Sequence, residues 1–358
     1  MPLKAPELNA TFRMKTPTSR LRVLLSTILL CHLPAACTQS DDLREADAEM
    51  ERKFAVIEAQ LREAITKAEE MTTELSTEIA SLYPDLEERA RGADASEYQL
   101  TASGVLYRKH AVKNGVPAVF VSGAIPVDDH IRTVVQGTEA MDPVLMEMAK
   151  SHSEVGQAYY NDRHSYNRIY PPFNVISQYP AGMDIPKYNF YYLADETHNP
   201  ERRTVWVKEP YVDPAGRGWM ISCIAPVYHG DILEGVCGLD ITIETLVRNL
   251  DLDQDNELTM LMTSDGTVVA TGESCARIFK LPLKARHRYV DTIRSDTLRP
   301  ENHNLLKSTS LEIRQHVKSL LDERGRIQAI RIDGTDLVMK GRYLEELDWW
   351  IVSATPRS

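Results

Sequence analysis

The sequence predicts an α+β protein in which one long N-terminal helix is followed by two modules, each built on a central antiparallel sheet. Three observations predict it. Over residues 45–83 apolar side chains recur every seven residues with no Gly or Pro between them, the mark of a long amphipathic helix. Two β-rich runs at 219–228 and 232–243 are joined by His229-Gly230-Asp231 alone, a hairpin-length connection that parallel strands cannot use. A second strand–turn–strand unit, with Asp265-Gly266 at its turn, then opens at 258–270, so the architecture restarts.

The chain begins with Lys4, Arg13, Lys15, Arg20 and Arg22 ahead of an apolar run from Val23 to Leu33. The run is short for a bilayer span and small residues follow it, which is the pattern of an export leader. Leu33-Pro34-Ala35-Ala36-Cys37 resembles a bacterial lipobox, which makes Cys37 the candidate lipidation site and 1–36 the leader; an ordinary leader cut near Ala36, or an uncleaved anchor, is the alternative. The formal net charge is −11, and loss of this basic leader makes it more negative. Clustered Lys and Arg are missing, so no nucleic acid is expected as a partner. Nothing after the leader approaches 18 consecutive apolar residues.

Residues 37–85 form the linker and helical stalk. Phe54, Leu61, Ala68, Leu75 and Leu82 make one heptad series and Met50, Ile57, Ala64 and Met71 a second. This stripe either forms a homodimer through 45–83 or packs on its own domain; Ala at two seam positions weakens a free coiled coil. Short strands follow, including 105–107 and 118–121, and a helix is expected over 143–158. From Tyr159 to Tyr192 the chain carries ten of its 25 aromatic residues, either as core and sheet surface or as a cage for a small polar or cationic ligand. In the second module Thr309 and Glu312 suggest a capping box for a helix running to Leu321, and strands are expected at 327–332, 337–343 and 349–354.

Pro226-Val227 before the turn and Gly235-Val236-Cys237-Gly238-Leu239-Asp240 after it match the pattern of the extracytoplasmic double Cache (dCache) sensor family. The resemblance spans nearly all of 41–356 and is strongest at 206–243 and 258–270. It implies two PAS-like modules, at 86–247 and 248–358, with a small-molecule site in the first. In amino-acid-binding members an Arg, followed after one residue by Trp-Tyr, holds the ligand carboxylate, while a Tyr-x-Asp and the Asp of G-x-D hold the ammonium. Here Phe190-Tyr191 occupies the Trp-Tyr place and Tyr188 stands in place of Arg, whereas Tyr211, Asp213 and Asp240 are all present. The candidate ligand residues are therefore Tyr188, Phe190, Tyr191, Trp206, Tyr211, Asp213 and Asp240. They favour an amine or amino-acid-like ligand over one held by its carboxylate, and Lys187, Arg202, Arg203 and Arg168 are the available substitutes for the clamp.

Cys223 and Cys237 each lie six residues from the 229–231 loop, so an unbulged hairpin sets them opposite one another. They are either a disulfide, which an exported protein permits, or buried thiols, with Cys275 unpaired in both cases. There is no G-x-S-x-G, P-loop, C-x-x-C or H-E-x-x-H, so no enzyme activity, cofactor or metal is expected. Asp251-Leu252-Asp253-Gln254-Asp255 opens like a calcium loop but has Asn256 in place of the Gly and Met262 in place of the final Glu, and reads as a linker. The resembled receptors continue into a second membrane helix and an output domain, and this sequence ends at Ser358. It thus reads as a sensor lipoprotein signalling through a separate partner protein. The alternative is a structural or interaction lipoprotein whose fold no longer binds a ligand.

Overall fold

A computed structural model describes residues 33–212, 219–243, 250, 252, 258–282 and 300–357. The leader up to residue 32, Asp213, and 251–257 apart from Leu252 lie outside the described residues. Leu43–Ser358 forms one compact unit. Among the described residues no helix is long and apolar enough to cross a membrane.

Helix α1 (Leu33–Ala80) runs behind both sheets. Met50, Phe54, Ile57, Leu61, Ala68, Met71 and Leu75 are buried, so the heptad stripe packs on the chain's own sheets. Each of these side chains larger than alanine contributes roughly 1.5–3 kcal/mol on burial, which fixes this face inward. Polar contacts set the register of the helix. Lys340 pairs with Asp47 and Glu51, each at 2.6 Å, and Arg342 with Glu58 at 3.0 Å; higher up, Ser76 Oγ donates to the carbonyl of Pro226 at 2.7 Å.

The first sheet has eight strands: β1 (Tyr98–Leu100), β2 (Leu106–Arg108), β3 (Ala118–Val121), β4 (Val155–Asp162), β5 (Tyr166–Tyr170), β6 (Val205–Val212), β7 (Trp219–His229) and β8 (Ile232–Thr242). Their order is β1-β2-β3-β5-β4-β8-β7-β6, every neighbouring pair antiparallel. Helices α2 (Leu86–Gly92), α3 (Ala111–Asn114), α4 (Asp129–Gly137), α5 (Asp142–Ser151), α6 (Val175–Gln178) and α7 (Asn189–Tyr192) fill the connections. The expected helix over 143–158 stops at Ser151. From Val155 the chain forms β4 instead, a strand buried on both faces in which Tyr159 and Tyr160 point to opposite sides of the sheet.

The second sheet has the order β10-β9-β13-β12-β11, again all antiparallel, with β9 (Leu258–Thr263), β10 (Val268–Thr271), β11 (Gln328–Ile332), β12 (Thr335–Leu344) and β13 (Trp349–Pro356). Its outer face is covered by α8 (Glu273–Ile278) and α9 (Leu311–Asp322). The cap of α9 is Ser310, whose Oγ accepts from the N–H of Ile313, one residue on from the expected Thr309. The fold is thus a long helix and two PAS-like modules with antiparallel sheets.

The hairpin of β7 and β8 corrects the cysteine register. His229 pairs with Ile232, so only Gly230 and Asp231 form the turn, and Glu234 is bulged out where the register shifts between Val227 and Tyr228. Each change moves the pairing by one residue. Cys223 therefore lies opposite Leu239 and Cys237 opposite Ala225, and both are buried free thiols on the α1 side. Burial pushes the Cys237 thiol up to about 12, keeping it neutral.

Candidate ligand-binding site

The strand period of two divides the first sheet into a face toward α1 and a face toward the 171–204 segment. On the outer face, Ser222 of β7 sits opposite Asp240 of β8, and Tyr211 of β6 reaches the same point. Both hydroxyls donate to Asp240 Oδ1, each at 2.7 Å, and lie 2.6 Å from one another. Ser222 is 0% and Asp240 2% exposed. Burial, and next the charge of Asp240, push the Tyr211 phenol well above its ordinary value, so it stays a neutral donor.

Tyr159 of β4 completes this floor. Gly238 makes room for it: a Cβ added there would come within 2.5 Å of the Tyr159 hydroxyl and within 2.9 Å of Ile224. The ring thus crosses β8 at its glycine, with Oη one register step from the Ser222–Asp240 pair. That hydroxyl is buried and makes no hydrogen bond of ordinary geometry, and Asp240 and Ser222 are the polar side chains that act on it.

The cover is aromatic. Helix α7 packs across β7 and β8; Phe190 meets Tyr159 edge-on at 6.5 Å, and Tyr188 stacks on Phe190 at 5.2 Å with 17° between the ring planes. These aromatic faces offer negative quadrupoles to a cation.

Of the sequence candidates, Tyr211 and Asp240 are joined directly, and Phe190 and Tyr188 form the cover above them. Tyr191 is buried in the same outer core, but the carboxylate acting on it most strongly is Asp162, at the end of β4. Trp206 is not in the site. It lies on the α1 face opposite Cys223, and its Nε1 donates to Glu69 of α1 at 2.9 Å. Asp213 lies outside the described residues. Ser222 and Tyr159 were not singled out from sequence; Ser222 comes opposite Asp240 only through the two-residue turn and the bulge at Glu234, which the spacing does not show.

The substitutes for a carboxylate clamp are engaged elsewhere. Arg168 is wholly buried on the α1 face, where it pairs with Asp142 and donates to the carbonyl of Val135 at 2.7 Å. Lys187 pairs with Asp184 at 2.8 Å and Arg203 with Glu201 at 2.6 Å, both on the surface. Arg202 stacks on Tyr228 at 3.9 Å and pairs with Asp231 at 3.6 Å. Among the described residues no group of His, Cys, Asp and Glu could hold a metal ion.

No family model matches the sequence, and no curated protein does. Solved structures do match. The ligand-binding domain of the Pseudomonas aeruginosa amino acid chemoreceptor PctB, in complex with L-Arg, aligns at 13% identity over 88% of this chain and 96% of that one, with a TM-score of 0.51. The sensory domain of the Campylobacter jejuni chemoreceptor Tlp3, with isoleucine bound, aligns at 10% identity over 89% and 96%, with a TM-score of 0.52. At these identities the likeness is one of fold, and it extends over both modules and the long helix.

Proposed function

We propose that this chain, which has the double Cache fold of chemoreceptor ligand-binding domains, is an extracytoplasmic sensor whose first module binds a small amine or amino-acid-like ligand. The observation that carries the reading is the Asp240–Tyr211–Ser222 cluster beneath Phe190: a buried carboxylate with two hydroxyls and aromatic faces suits a positively charged nitrogen. The neighbours in fold bind L-Arg and isoleucine, which supports a ligand of this size with an amino group. With Tyr188 in place of the expected Arg and four other cations engaged elsewhere, no bidentate partner for the carboxylate half of such a ligand is found among the described residues. The amine therefore carries the affinity.

One observation favours the second reading, a fold that no longer binds: the cluster is covered and its hydroxyls are bonded to Asp240 within the protein. A thermal-shift comparison on the full chain separates the two, using L-arginine, L-isoleucine and their decarboxylated counterparts agmatine and 2-methylbutylamine. A ligand at 100 times its dissociation constant adds about 2.7 kcal/mol. The sensor reading expects a shift that the amines give at least as well as the amino acids. No shift from any of the four supports the non-binding fold.

The proposed anchor is a lipid on Cys37, and the readout passes through a partner protein. Cys37→Ser is expected to abolish lipid labelling and release the protein from membranes; a mutant as firmly bound as the parent contradicts the anchor.

A further inference from the structure

Tyr159 is the one member of this floor whose polar atom the fold leaves unused. A buried hydroxyl without a partner forfeits its bonds to water for nothing in return, so such groups are rare and call for a reason. The fold makes room for this one, because the ring occupies the space over Gly238 that any side chain there would take. Tyr159 is 4% exposed, and Phe190 of the cover closes over it.

The surroundings decide what the hydroxyl can meet. Oη lies beside Ser222 and in the field of Asp240, the charge that acts on it most strongly. A carboxylate or other acceptor arriving here is repelled by Asp240, whereas a cationic N–H is attracted by Asp240 and finds a lone pair on Oη. A primary ammonium has three N–H bonds to distribute, and a trimethylammonium has none, meeting this floor through charge and aromatic faces alone.

We infer that Tyr159 is a ligand-specificity residue that accepts a hydrogen bond from the ligand's ammonium and makes the first-module site selective for primary amines over their N-trimethylated counterparts. This rests on the amine-site reading given above.

The test is Tyr159→Phe in the full chain, titrated calorimetrically with L-isoleucine, 2-methylbutylamine and the N,N,N-trimethyl derivative of each, with Asp240→Asn as control. Phenylalanine keeps the ring over Gly238, so the variant is expected to unfold at the parent's temperature or above it. It is expected to bind the primary amines roughly tenfold more weakly, the scale of one hydrogen bond, and the trimethyl compounds unchanged. A lower unfolding temperature shows that the hydroxyl is bonded within the fold and overturns the inference. So does an equal loss, or no loss, across primary and trimethyl ligands. If Tyr159→Phe leaves binding intact while Asp240→Asn weakens all four, this inference fails and the amine site stands. If Asp240→Asn also leaves binding intact, or no probe binds the parent, the site reading fails and this inference with it.

Discussion

The two modules share one plan, a sheet between α1 and an outer cover, and differ in what lies on the outer face. In the first, Ser222, Asp240, Tyr211 and Tyr159 put four polar side chains under an aromatic cover. In the second, Leu258, Met260, Met262, Met339, Trp350 and Val352 of the sheet meet Ile313, Val317 and Leu320 of α9 in an apolar core. A glycine marks both floors. Gly238 admits the ring of Tyr159, whereas Gly341 admits Leu320, since a Cβ there would lie 2.8 Å from a Leu320 methyl. The same backbone device thus shapes a polar floor in one module and a plug in the other. Architecture alone does not make a site; the side chain that enters over the glycine does.

The largest expected effect breaks the plug. Leu320 is 2% exposed, and Leu320→Ala leaves a cavity over Gly341 that should cost about 2–5 kcal/mol in denaturant unfolding. Ligand binding in the first module should not change, because α9 contributes nothing to that floor. A loss of affinity larger than the loss of stability explains would mean that the second module takes part in binding.

Next comes the buried charge. The second module's buried Lys340 sits between two acids, but Asp162 of the first is held by the backbone N–H groups of His164 and Tyr166, at 2.8 and 2.9 Å. Burial raises its carboxyl to about 7, against the lowering effect of those N–H groups and of Arg163. The folded state therefore holds this proton more tightly than the unfolded chain. Its contribution to stability is fullest below about pH 4, is lost as pH rises toward 7, and stays lost above. Asp162→Asn keeps the acceptor and removes the charge. It should be more stable than the parent by about 2–4 kcal/mol at pH 8, at about 1.4 kcal/mol per pKa unit, with the advantage shrinking toward pH 5. Equal stabilities at both pH values would show that Asp162 titrates normally.

Much of this was legible in the sequence for physical reasons. The heptad stripe of α1 and the hairpin at Gly230 follow from periodicity and turn length. Tyr211 and Asp240, expected from a motif resemblance to serve one ligand site, are brought together on the same face, where the phenol donates to the carboxylate. What failed depends on single insertions. The Glu234 bulge leaves no mark on the spacing of Cys223 and Cys237, so an opposed pair became an offset one. Alternation could have separated Trp206 from Tyr211, since residues five apart on a strand face opposite ways, but the aromatic crowd hid that count. Tyr159 lay in the same crowd, next to a helix that was expected to run too far. Its role rests on Gly238 of another strand, and no local pattern carries that information.

The central claim is that the outer face of the first module binds a cationic nitrogen through Asp240. Calorimetric titration of the parent and of Asp240→Asn with 2-methylbutylamine tests it most directly, because the amide keeps the shape of the side chain and removes one charge. The account predicts weaker binding to the variant by roughly 1–3 kcal/mol, the scale of a charge-assisted hydrogen bond, with the fold intact by circular dichroism. Unchanged affinity in a folded variant would contradict it.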